Sequence, residues 1–233
     1  MERELTKMVD DAAQIRTSGR WAAINANIES MAAMPGEGNE WYVQVLGGLL
    51  SQVFTEYIRL EQVYEENGDT NISTLAWHAR NLLELWVWSL YSTTTRENAR
   101  RLYEDSGRDI VGMSKAYRKH LEATAELNNL CEQLSLTEES LRLRAASEGI
   151  DSLDGSYKRV DEAAKECGVG PHYSLFFKLA SKFAHPTAML MLASPDKLIE
   201  SRLGDFFFSE GCLFFSEAFA ALENHLLRRT ALS

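Results

Sequence analysis

Apolar residues recur at helical intervals along most of the chain. Leu5, Met8, Val9, Ala12 and Ile15, then Trp21, Ile24, Ile28 and Met31, predict helix over 3–33 with a break near Ser18–Gly19. PGEGN at 35–39 reads as a loop. A long helix is predicted next, from Trp41 to Asn67–Gly68, where Asn-Gly offers a left-handed stop. Gly47–Gly48 inside it lets a neighbouring helix approach closely. Residues 72–93 are apolar on nearly every face, which predicts a central helix surrounded by others, with Ser73 or Thr74 capping its start.

The pattern then becomes more polar. Thr95–Leu134 is amphipathic and predicts one long helix with an irregularity near Ser106–Gly107. Ser135-x-x-Glu138 matches a capping box and predicts a short helix running from there to about Glu148. GIDSLDGS (149–156) is the most loop-like interval and the candidate mobile segment. A helix over Tyr157–Cys167 should stop at Gly168, and Val169-Gly170-Pro171 turns into the apolar run Tyr173–Pro186. A last helix begins at Lys197 or Gly204 and ends at Arg228. No repeat or composition shift marks a boundary. The expectation is one all-α domain over 1–233, a bundle of about seven helices.

Composition agrees: 45% hydrophobic and 25% charged residues suffice for a substantial core, and only four prolines interrupt 233 residues. The net charge of −10 disfavours a generic electrostatic nucleic-acid binder, leaving room only for a local basic cleft. Arg96/Arg100/Arg101 and Lys115/Arg118/Lys119/His120 interleave with Glu97, Glu104 and Glu122, as on a solvated helix face. Cys131, Cys167 and Cys212 are odd in number and widely spaced, so they make neither a disulfide framework nor a CxxC metal site. The charged N-terminus lacks the apolar core of a signal peptide, and Glu210 and Glu217 break up the most apolar late stretch. These features predict a reduced, soluble, cytoplasmic protein with no membrane partner.

The chemistry concentrates in two helices. In YSLFFKLASKFAHP, Pro186 disfavours helix at the residue before it, so the helix should end at His185. A helix C-terminus favours a protonated imidazole there, fit for acid catalysis or anion binding; the alternative is a cap on free carbonyls. Ser181 and Lys178, four and seven residues earlier, share its face, and Lys182 is close. Lysine and histidine could neutralise and protonate a phosphate positioned by a serine or tyrosine hydroxyl, or both lysines could simply snorkel to water. In LAWHARNLLELWVW, Arg80 and Glu84 form an i, i+4 pair, while His78 points elsewhere. Arg80 among leucines and tryptophans needs a partner, either in a structural ion pair or in an arginine aimed at an anion. Carboxylate-bridged metal spacing, HExxH, a glycine-rich phosphate loop and GxSxG do not occur, so neither metal nor cofactor is expected. Trp77, Trp86, Trp88 and Phe206–Phe208, Phe214, Phe215 and Phe219 read as core.

ARNLLELWVW together with EAAKECGVGPHYSLFFKLASKFAHPT resembles the DUF5677-type family of bacterial helical proteins, which combine an Arg-x-x-x-Glu helix with a late Tyr…Ser…His-Pro helix. The resemblance covers about Ile72–Thr187, leaving helices over 3–67 and 197–229 to pack on that core. It is distantly similar to HEPN domains, helical bundles often found as RNA-cleaving toxins or in phage defence. In the HEPN motif an arginine, usually followed by a polar residue, precedes a histidine by four to six intervening residues. Here Lys178 stands in the arginine position, Leu179 follows it, and His185 carries over. The resemblance implies a self-associating, metal-independent RNA-processing or defence protein. Its catalytic residues would be His185 and Lys178, with Arg80, Glu84, Lys182, Ser181 and Tyr173 binding or supporting the anion. The alternative is a non-catalytic helical module for a protein or small ligand.

Overall fold

The computed structural model describes residues 2–33, 39–67, 71–121, 128–150, 152–185 and 197–230. They form nine helices, and no strand occurs among the described residues. The N-terminal run divides into α1 (Glu2–Thr17) and α2 (Arg20–Ala33) at Gly19, whose φ of 72° is left-handed. Then follow α3 (Asn39–Asn67), α4 (Ile72–Thr94), α5 (Arg96–Leu121) and α6 (Asn128–Ser147). The short α7 (Val160–Glu166) leads into α8 (Gly170–Ala184), and α9 (Lys197–Thr230) closes the order.

The all-α expectation holds, but the described residues form nine helices rather than about seven. The amphipathic run expected as one helix over Thr95–Leu134 gives two, since α5 ends at Leu121 and α6 begins at Asn128. The capping box expected at Ser135 does not form. Ser135 Oγ donates back to the Cys131 carbonyl at 2.9 Å inside α6, and Glu138 binds Arg118 and Arg142 instead of reaching a backbone N–H. Asn71, not Ser73 or Thr74, caps α4 by accepting from the Thr74 N–H at 3.4 Å. Gly168, at φ 77°, ends the α7 turn as expected. Its N–H donates to the Lys165 carbonyl and that of Val169 to Ala164, closing a Schellman pair. Gly68 and Pro186 lie outside the described residues.

Helix α4 is central, packed by α3, α5, α7, α8 and α9. That position explains its all-round apolarity: Leu75, Ala76, Ala79, Leu82, Leu83 and Val87 are fully buried. Helix α9 brings most of the aromatic volume. Phe215 stacks on Tyr57 of α3 with centroids 4.1 Å apart, and Phe208 stacks on Tyr64 at 3.9 Å. Gly211 is the point of closest approach. A β-carbon there would collide with Leu60 of α3 and lie 3.6 Å from the Ala79 Cα of α4. Gly211→Val is therefore expected to destabilise the fold by about 1–3 kcal/mol. The change should read as a lower urea midpoint at unchanged slope, and an unaltered midpoint would contradict this packing.

A smaller core lies between α5, α6 and the following loop, where Val111, Ala145, Ile150 and Leu153 are buried together. This interval, expected to be mobile, is pinned. Leu153 packs where a β-carbon at Gly107 would stand only 3.1 Å away, and α5 continues through Ser106–Gly107 as helix, without the expected irregularity. Asp154 accepts from Lys115 at 2.5 Å and from Arg142 at 2.9 Å, and Arg101 donates to the Ser156 carbonyl.

Candidate functional site

Helical geometry places residues at i, i+3, i+7 and i+11 on one face, and on α4 these positions are Trp77, Arg80, Glu84 and Trp88. On α8 the corresponding stripe is Tyr173, Phe177 and, at the helix end, His185. The two helices pack together and the stripes meet. Arg80 Nη1 donates to His185 Nε2 at 3.0 Å, Arg80 Nε donates to Glu84 Oε1 at 3.2 Å, and the guanidinium lies over the Phe177 ring at 4.4 Å. Phe177 in turn stacks on Tyr173 at 5.3 Å. One continuous run of contacts thus joins Tyr173, Phe177, Arg80, Glu84 and His185.

The hydrogen bond to His185 has one chemically sensible direction. A guanidinium has five donors and no acceptor, so Nε2 must present a lone pair. Helix α8 does end there: His185 has extended backbone angles, φ −116° and ψ 151°. Its side chain binds across to α4 instead of capping its own helix. Trp77 stands edge-on to the imidazole with centroids 6.0 Å apart and is 44% exposed, so it is a surface ring and not the core residue its apolar surroundings suggested.

The other expected site residues divide. Lys178 and Lys182 are exposed on α8, and Lys178 makes no hydrogen bond or ion pair with a described residue. The cation at His185 is therefore Arg80, from a helix 105 residues earlier in the chain. The Ser181 hydroxyl is buried and has no hydrogen-bond partner among the described residues. His78 points away as expected, its Nδ1 2.7 Å from Glu56, which also accepts from Asn81 at 2.6 Å. Burial works to raise the Glu56 carboxyl, but the hydrogen bonds from His78 and Asn81 outweigh it and hold the group below its ordinary range.

Beside the Arg80–His185 pair opens a cleft of about 690 Å³ between α3, α4, α5, the segment before α7, and α8. Glu84, Trp88, Asp109, Tyr173 and Phe177 line it. Burial raises the Glu84 carboxyl by more than its Arg80 partner lowers it, and burial together with Glu84 pushes the Tyr173 hydroxyl up to about 12. Phe177 carried no sequence signal beyond its spacing, four residues after Tyr173, while Trp77, three before Arg80, read as core.

No protein-family model, curated protein or solved structure matches the chain. No three His, Cys, Asp or Glu side chains among the described residues could together hold a metal ion. No helix among them is long and apolar enough to cross a membrane.

Proposed function

We propose that this chain is a HEPN-like helical protein whose Arg80–His185 pair acts on RNA phosphodiesters without a metal. The supporting observation is that pair: an arginine fork and an imidazole nitrogen 3.0 Å apart at an exposed helix end. A phosphate arriving at Arg80 would replace His185 as acceptor and free Nε2 to serve as a base. His185 then takes the proton of a ribose 2′-hydroxyl, whose oxygen bonds to the adjacent phosphorus as the bond to the 5′-oxygen breaks. The leaving oxygen takes a proton from the imidazolium, and the products are a 2′,3′-cyclic phosphate and a 5′-hydroxyl. Arg80 stabilises the charge on the phosphoryl oxygens, Lys178 and Lys182 lie on the approach along α8, and Trp77 offers a stacking face to a base. Self-association, processing and phage defence belong to the same proposal.

The test is incubation of the purified protein with structured RNA, with and without chelator. The proposal expects chelator-resistant cleavage that disappears in His185→Ala. No cleavage, or cleavage unchanged in that variant, would remove the enzymatic reading. A second reading, a non-catalytic ligand-binding module, is favoured by one observation: Arg80 is engaged by Glu84, His185 and Phe177. On that reading the pair is structural, and His185→Ala or Arg80→Ala lowers the melting temperature by several degrees.

A further inference from the structure

The cleft beside the pair has a chemistry of its own. It is bounded by the rings of Trp88, Tyr173 and Phe177, and its volume of about 690 Å³ falls within the range of small-molecule sites. Most of the charges at its rim are already satisfied. Asp105 accepts from Arg108 at 2.7 Å and from the Lys158 N–H at 2.7 Å, and Asp161 pairs with Arg159 at 3.0 Å and Lys165 at 3.2 Å. Lys158 is paired with Glu166.

What remains uncommitted is acidic and hydroxylic. Glu84 spends one oxygen on Arg80 and keeps the other, while Asp109 has no ion pair or hydrogen bond with a described residue. Tyr173 is only 6% exposed and lines the cleft, yet its hydroxyl makes no hydrogen bond to any described residue. The Tyr173 hydroxyl therefore faces the cleft, where its hydrogen bonds fall to a ligand or solvent.

We infer that the cleft is a binding site for a small organic cation, a protonated amine on an apolar body. Glu84 and Asp109 supply the counter-charge, Trp88, Tyr173 and Phe177 hold the apolar body, Trp88 presents a π face to the cation, and the Tyr173 hydroxyl accepts a hydrogen bond from the ammonium. An anionic ligand would meet the Asp109 carboxylate and the second Glu84 oxygen there, with no free arginine or lysine among the lining groups just described. The site shares Glu84 and Tyr173 with the Arg80–His185 constellation but does not depend on RNA chemistry.

Three probes with one aromatic body and different charge test it: 2-phenylethylamine, 2-phenylethanol and 3-phenylpropionate, titrated into the full chain by calorimetry and by tryptophan fluorescence. The amine is expected to bind at least about tenfold more tightly than the alcohol, as a charge-assisted contact requires, and the carboxylate is expected not to bind. Glu84→Gln, which keeps an acceptor for Arg80, should erase most of the preference for the amine, and Asp109→Asn, at an exposed position, should reduce it. Equal binding of amine and alcohol, preference for the carboxylate, no binding of any probe, or an amine preference intact in both variants would each overturn the inference. RNA cleavage is read separately, so failure of either proposal leaves the other standing.

Discussion

On the proposed function, His185→Ala is expected to reduce RNA cleavage by about a hundred- to ten-thousand-fold, the usual contribution of a positioned acid–base group, while leaving the fold intact. The two effects separate because of where the residue sits. His185 is exposed at the end of α8, and the described contacts of its side chain are the hydrogen bond from Arg80 and the edge of Trp77. Loss of that solvent-accessible hydrogen bond costs no more than about 1 kcal/mol, which the α4–α8 packing through buried Phe176 and Ala180 absorbs. Cleavage rate and melting temperature measured on the same preparation distinguish the readings. A rate loss at unchanged melting temperature supports catalysis. A fall of several degrees with no cleavage in either protein supports the ligand-binding module.

The largest expected effect on stability lies elsewhere. Phe215→Ala should cost about 3–5 kcal/mol, a large part of the roughly 5–15 kcal/mol that holds a domain together. Phe215 is fully buried, stacks on Tyr57 at 4.1 Å and meets Phe54 edge-on at 5.9 Å, so one ring joins α9 to two turns of α3. The cavity left behind is walled by aromatic groups that cannot collapse freely. A melting temperature lower by about 6–20 °C is expected. A loss under about 1 kcal/mol would mean that α9 does not pack through this ring.

The helices were largely legible because their signals are local or periodic. The apolar faces of α4 identified it as the central helix, and Gly19 and Gly168 marked turns because both adopt positive φ. Ser135–Glu138 misled because a capping box is a local pattern, whereas Glu138 is claimed by Arg118 from another helix. The loop over 149–156 looked free because its anchors, Lys115, Arg101 and Arg142, lie on α5 and α6 and cannot be assigned to it from composition.

The candidate site was half legible for the same reason. Arg80–Glu84 follows from i, i+4 spacing, and the end of α8 follows from His-Pro. That Arg80 rather than Lys178 faces His185 depends on how α4 and α8 pack, which no spacing along either helix specifies. Trp77 read as core because its neighbours are apolar, yet it lies on the edge of the α4 stripe that continues to Arg80. The two helices together leave that edge open to solvent.

Whether Arg80 and His185 act as one unit on a phosphodiester is decided by a double-mutant cycle on chelator-resistant RNA cleavage. The cycle compares Arg80→Ala, His185→Ala and the double variant. Residues that act as a unit are strongly non-additive, so the double variant is expected to be about as slow as the slower single one. Losses that multiply independently, or a single variant as active as the unaltered protein, would contradict it.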